Sequence, residues 1–280
     1  MFDAPSTWLQ SSIMHLLLFA ATIGSLIVQP VTGVPTVVPR AALKALVGND
    51  DGWAEANIRA LYQVLSIAGY NVCKNSPQAR PIFALLRVLD RPIRTRQNES
   101  GTGSSDEPAR LNYVNSYPVT AIKYGTTTLA LNFFGGASDI FVAGPNVGNN
   151  LGSTTSISGT VGAATEAVKE GIPSIAFGGK SGSARSYATL KSGDASYTYA
   201  QISQKLLATL TASAKPWLPA GVDVVTCNNG GHLPDETTVL GTSGKCYVTV
   251  SAFLASNKHD ANTLQQAAVL SKFSSVPTCL

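Results

Sequence analysis

Apolar positions along this chain follow two alternating rhythms. Short unbroken runs, "LKALVG" (43–48), "SDIFVAG" (138–144) and "PSIAFGG" (173–179), are the right length for strands buried on both faces. Between them lie longer segments with helical spacing. In "AEANIRALYQVLSIAG" (54–69), Ile58, Leu61, Leu65 and Ala68 form a single stripe that Gly69 closes. "SGTVGAATEAVKEG" (158–171) predicts a small-residue helix ending at Gly171, and "YTYAQISQKLLATLTASA" (197–214) a further one. "PVTAIKYGTTTLA" (118–130) is a weaker helical pattern. Strands alternating with helices in this way predict an α/β fold, a doubly wound, mostly parallel sheet covered on both faces.

The texture changes after Pro216. "KCYVTVSAF" (245–253) alternates like an edge strand, and "DANTLQQAAVLSKF" (260–273) reads as a helix with Asp260 as its N-cap. The expected organisation is a leader over 1–33, a short mature N-terminal segment over 34–42, an α/β domain over 43–220 and a C-terminal arm over 221–280.

The leader rests on "LLLFAATIGSLIV" (16–28), an apolar block shorter than the roughly twenty residues of a membrane span. It runs into small residues at Val31 and Gly33, so cleavage after Gly33 and a secreted, membrane-free mature chain are expected. Secretion permits disulfides, and Cys227, Cys246 and Cys279 leave three pairings open. The net charge of +4 is local, because residues 73–97 carry one Lys and five Arg against one Asp. Without them the chain is near neutral, which argues against a nucleic-acid polymer as partner.

In open α/β sheets ligands sit beyond the carboxyl ends of the strands. Polar, glycine-rich stretches fall at such ends here: "GNDDG" (48–52), "AGPNVGNNLGS" (143–153) and "SGTVGAA" (158–164), with "NESGTGSSDEP" (98–108) of the same type. Adjacent carboxylates repel unless a divalent cation lies beside them. Asp50 and Asp51 with Asn and Ser oxygens suit Mg²⁺ or Mn²⁺ better than zinc. Free N–H groups at a helix start would receive a phosphate. Together these predict metal-assisted hydrolysis of a phosphate ester. NDDG is also a common turn composition, and an aspartate can simply cap the next helix. A P-loop and a GxGxxG fingerprint are absent. His15, His232 and His259 stand in no setting that resembles a Ser-His-Asp triad.

In this order the stretches "ALVGNDDGWAEANIRAL", "NESGTGSSD", "SDIFVAGPNVGNNLG" and "ISGTVGAATEAVKEGIPSIAF" resemble the SurE family of metal-dependent phosphatases and nucleotidases, particularly its secreted fungal branch. The resemblance implies a Rossmann-like three-layer core whose C-terminal arm exchanges within a homodimer or higher homo-oligomer. It implies hydrolysis of phosphate monoesters, nucleoside monophosphates among them. It also implies a divalent cation held by Asp50, Asp51, Ser100 and Asn146, with Asp50, Asp51 and Asn146 catalytic. Asn49, Gly101, Asn150, Ser158, Gly159 and Thr160 become candidate phosphate contacts.

Three departures from the family pattern stand out. Residues 73–97 replace the expected second strand with a proline-broken basic stretch, either an insertion that binds an anion or an intron read through in translation. On that reading a central strand is missing and the chain is an impaired scaffold that binds metal or ligand without turnover. Ala143 stands where the family usually has Ser, and "GVDVVTC" lacks the family's N-x-N-F-P. Asn98-Glu99-Ser100 is in addition a glycosylation sequon, expected to be unmodified.

Overall fold

The computed structural model describes residues 14–19, 42–77, 102–104, 110–114, 116–212, 235–242 and 248–273. In chain order they form β1 (Met14–Phe19), β2 (Lys44–Gly48), α1 (Ala56–Ile67), β3 (Asn71–Pro77), β4 (Thr102–Ser104), β5 (Leu111–Val114) and α2 (Pro118–Tyr124). Next come α3 (Ala130–Phe134), β6 (Ile140–Asn146), α4 (Thr154–Ile157), α5 (Gly159–Lys169), β7 (Ser174–Gly179) and α6 (Ala195–Leu210). The last described elements are α7 (Glu236–Gly241), β8 (Val248–Phe253) and α8 (Thr263–Lys272).

The strands make one sheet in the order β4-β5-β3-β2-β6-β7-β1-β8. Its middle, β5-β3-β2-β6-β7, is parallel throughout. Alternation along each central strand explains the three layers. Ala45 and Val47 of β2, Ile140 and Val142 of β6, and Ile175 and Phe177 of β7 face a core shared with Ile58, Leu61 and Leu65 of α1 and Leu207 and Leu210 of α6. The residues between them, Leu46, Phe141, Ala143 and Ala176, face a second core with Ile122, Phe134 and Val161. Both faces are dry, so each strand reads as an unbroken apolar run. The α/β, doubly wound expectation holds.

The missing second strand is a correction. Residues 71–77 form β3, parallel to β2 from Lys44↔Asn71 to Val47↔Lys74 and parallel to β5 on its other side. Its charged residue disguised it, for Lys74 lies fully inside. Residues 78–101 lie outside the described set, as do Cys227, Cys246, Cys279, His232 and the sequon. Ala143 is buried in the second core, level with Gly48 at the carboxyl end of β2.

Three smaller differences follow from local chemistry. The 118–130 helix runs on to Phe134 through a π-helical turn at Gly125–Leu129, and ends where Gly135 adopts φ 66°. The N-cap of α8 is Asn262, not Asp260; Asn262 and Gln265 form a reciprocal capping box. Asp260 is used in a bridge to Phe253 instead. Inside the segment 1–33 expected as a leader, β1 pairs antiparallel with β7 and parallel with β8, so cleavage after Gly33 would remove a strand from the sheet.

Candidate metal and phosphate site

The winding of the sheet reverses between β2 and β6, which pair from Ala45↔Ile140 to Gly48↔Ala143. Loops leaving neighbouring strands of opposite winding part from each other and open a crevice at their carboxyl ends. Asp50 and Asp51 follow β2 there, and Asn146 ends β6.

A bulge aims Asn146. Between Ala143 and Asn146 the register of β6 against β7 slips by one residue, since Ala143 pairs with Ala176 and Asn146 with Gly178. Gly144 makes this close packing possible: at φ 93° an added Cβ would lie 2.3 Å from the Phe177 carbonyl oxygen. Asn146 Nδ2 donates to the Gly148 carbonyl at 2.8 Å, turning its Oδ1 the other way. That oxygen lies 3.1 Å from Thr160 Oγ1, which also sits 2.5 Å from Asp50 Oδ1. A hydroxyl carries one proton, and the shorter, charge-assisted bond to Asp50 takes it. Asp51 Oδ2 accepts from the Val147 backbone N–H at 2.9 Å, tying the NDDG turn to the loop after β6.

Helix α5 supplies the opposite wall. Its N-cap Ser158 accepts from Val161 N at 3.1 Å, so the helix begins facing Asp50. A Cβ added to Gly159 would lie 2.8 Å from Asp50 Oδ2, so only glycine lets this helix start approach the carboxylate closely. The positive end of the helix dipole then favours negative charge at Asp50.

Of the residues expected at the site, Asp50, Asp51, Asn146, Ser158, Gly159 and Thr160 converge here. Asn150 lies in the same loop with φ 55°, and its carbonyl accepts from Thr155. Ser100 and Gly101 lie outside the described residues. Two assignments shift in character: the side-chain oxygen of Ser158 caps its helix, and the Thr160 hydroxyl steadies Asp50. Asn49 is 1 % exposed, and neither atom of its amide has a hydrogen-bond partner among the described residues. An orphaned amide at that depth costs about 1–3 kcal/mol, which a ligand in the crevice would offset.

The donor set suits a hard cation. Asp50 and Asn146, from two separate elements, bring oxygens to the same Thr160 hydroxyl, and Asp51 adjoins Asp50 in the chain. Among the described residues no three His, Cys, Asp or Glu side chains gather as a metal cluster, so a cation here needs the neutral amide oxygen as well.

Behind the crevice lies a group of charges that the sequence did not single out. Glu55 caps α1, accepting from Asn57 N at 2.6 Å and Ile58 N at 3.4 Å. Burial, and then the charge of Asp51, push its carboxyl up to about 7, although the backbone N–H groups oppose the shift. Lys74 Nζ donates to the Trp53 carbonyl at 2.6 Å. Burial and the neighbouring Arg59 hold its amine well below the ordinary lysine range, against the pull of Glu55 and Cys73. The only hint in the sequence was one lysine inside "NVCKN". A shallow cleft of about 300 Å³ between Leu43, Gly69, Tyr70, Ala208 and Thr211 lies at the opposite end of β2, away from these groups.

Comparison with known proteins places the chain among its relatives. The family model described as "Survival protein SurE" matches residues 45–238. An acid phosphatase of Yarrowia lipolytica is 32% identical over 193 residues, covering 63% of this chain and 54% of that protein. A 5'-nucleotidase SurE of Lawsonia intracellularis is 34% identical over 136 residues, covering 48% of this chain and 50% of that one. The chain thus spans about half the length of the curated relatives it matches. Among solved structures, a SurE protein from Aquifex aeolicus superposes with a TM-score of 0.45 at 20% identity over 62% of each chain, too loosely to add to the topology seen directly.

Proposed function

Because the chain belongs to the survival protein SurE family, we propose that it hydrolyses phosphate monoesters, nucleoside monophosphates among them, at the crevice between β2 and β6. The observation that carries this reading is the convergence of Asp50, Asn146 and Thr160 oxygens beside the start of α5. Asp50, Asp51 and Asn146 would hold a divalent cation, Mg²⁺ or Mn²⁺, with Ser100 as the further ligand implied by resemblance. When bound, such a cation polarises phosphoryl oxygens and lowers the pKa of a water molecule.

The chain's own groups do the rest. The Val147 N–H and the Thr160 hydroxyl hold the two aspartates in register while ester enters and phosphate leaves. Asn49 offers an amide N–H₂ to a phosphate oxygen, and the N-terminus of α5 offers its dipole to the anion. The apolar block over 16–28 suggests export; an N-terminus at Val34 on secreted protein would support it and would mean that the mature sheet closes without β1, whereas a retained N-terminus would mean that β1 belongs to the fold.

The direct test is hydrolysis of p-nitrophenyl phosphate with Mn²⁺, with excess chelator, and by Asp51→Asn. Activity that disappears in chelator and in the variant is expected. Full activity in chelator would overturn the metal mechanism. Cation binding without turnover on any phosphate ester would favour the impaired scaffold.

A further inference from the structure

Trp53 follows the NDDG turn directly, and its surroundings are unusual for a loop residue. Its indole lies 6.2 Å from the Tyr113 ring, tilted by 33°, and 6.4 Å from the Tyr187 ring, tilted by 48°. The three aromatics come from three separate places at the same end of the sheet: the turn after β2, the strand β5, and the segment after β7. Trp53 and Tyr187 are only half-buried, while Tyr113 is buried beneath.

The cluster is held rigidly from behind. Tyr187 N donates to the Ala54 carbonyl at 2.8 Å and Ala56 N to the Arg185 carbonyl at 2.9 Å, so the 185–187 segment grips the chain on the far side of Trp53. The Arg59 guanidinium lies 3.9 Å from the centroid of the Tyr187 ring. Lys74 fixes the Trp53 carbonyl and lies 6.0 Å from its ring centroid. An aromatic group fixed in place loses little freedom when a planar ligand stacks on it.

Its position relative to the candidate site is set by the chain itself. Two residues span at most about 7 Å, so the Trp53 backbone stands within that distance of the Asp51 backbone. The cluster thus stands at the same end of the sheet as Asp50 and Asp51, within reach of the organic group of an ester held there by its phosphate. We propose that Trp53, supported by Tyr113 and Tyr187, is the specificity-determining residue for the leaving group, selecting phosphate monoesters with a flat aromatic or heteroaromatic group over aliphatic ones. This rests on the phosphomonoesterase reading above. The chemistry is stacking, which every π-face satisfies, so the preference is for the class of aromatic esters and not for one base.

The experiment compares the full-length chain with Trp53→Leu and Trp53→Phe in Mn²⁺, after equal Mn²⁺ affinity and thermal midpoints have shown that the variants are folded. The ratio of kcat/KM for phenyl phosphate to that for glycerol phosphate is expected to fall about tenfold in Trp53→Leu, the scale of one lost stacking contact. Trp53→Phe restores most of it. An unchanged ratio in Trp53→Leu would overturn the assignment. Calorimetric binding of adenosine, which has no phosphate and needs no turnover, separates this inference from the activity it rests on. Binding that is lost in Trp53→Leu and kept in Trp53→Phe supports the stacking site even if no ester is hydrolysed. Equal binding by all three proteins, or none by the wild type, refutes it.

Discussion

Replacing Glu55 by Gln isolates the cost of one buried charge. The carboxyl is pushed up to about 7 from an ordinary 4.5, a difference of about 2.5 pH units. At 1.36 kcal/mol for each, this corresponds to about 3 kcal/mol between the neutral and ionised fold. A carboxyl with a raised pKa keeps its proton in the folded chain between those limits, whereas the unfolded chain has already released it. The contribution is therefore fully present below about pH 4.5 and is lost as pH rises through 7. A glutamine side chain retains an oxygen for the N–H groups of Asn57 and Ile58 but cannot ionise. Glu55→Gln should match the wild type at low pH and exceed it by up to about 3 kcal/mol at pH 8. Urea unfolding followed by circular dichroism from pH 4.5 to 8.5 reads this directly. Chelator is needed throughout, because a cation at Asp51 would remove the second cause of the shift. Two stability curves that run parallel across the range would show that Glu55 ionises normally, and the burial argument would fail.

Thr160→Val deletes the hydrogen bond to Asp50 at nearly constant volume. It should cost about 2 kcal/mol and lower the thermal midpoint by roughly 4–8 °C, read by calorimetry. Gly159→Ala brings a methyl group to 2.8 Å from Asp50 Oδ2. Titration calorimetry should show Mn²⁺ affinity falling at least about tenfold with a stability loss of about 1–3 kcal/mol; unchanged affinity would mean that Asp50 is not a ligand. Lys74→Met removes an amine whose pKa is lowered by burial, so that the wild-type fold gains stability as pH rises toward 10.5. Denaturation between pH 7 and 10.5 should show this upward slope flattened in the variant.

The core of the sheet was legible because β2, β6 and β7 bury both faces, and both faces must then be apolar. β3 was not, because Lys74 and the prolines beyond it break that rule, and the Trp53 carbonyl that Lys74 meets comes from a distant turn. At the site, residue types and their spacing indicated which side chains share the crevice. They could not indicate what each oxygen does within it. Ser158 and Thr160 both suit a phosphate, yet Ser158 accepts from Val161 N and Thr160 donates to Asp50. Asp260 and Asn262 are both good caps two positions apart, and the bridge to Phe253 decides between them. Glu55 carried no signal in the sequence, because its burial comes from the bridge it forms with Ser186, 131 residues away.

The bond from Val147 to Asp51 joins residues 96 apart, and that from Thr160 to Asp50 joins residues 110 apart. During synthesis at roughly 5–20 residues per second, Asp50 and Asp51 emerge about 5–20 s before the partners that steady them. For that interval the nascent chain carries two exposed carboxylates and half a sheet, with no crevice. The proposed cation site is thus a late acquisition, complete only when β6 and α5 close a loop of about a hundred residues. Arrested nascent chains of increasing length should accordingly show Mn²⁺ protection appearing in a single step once α5 has cleared the ribosome.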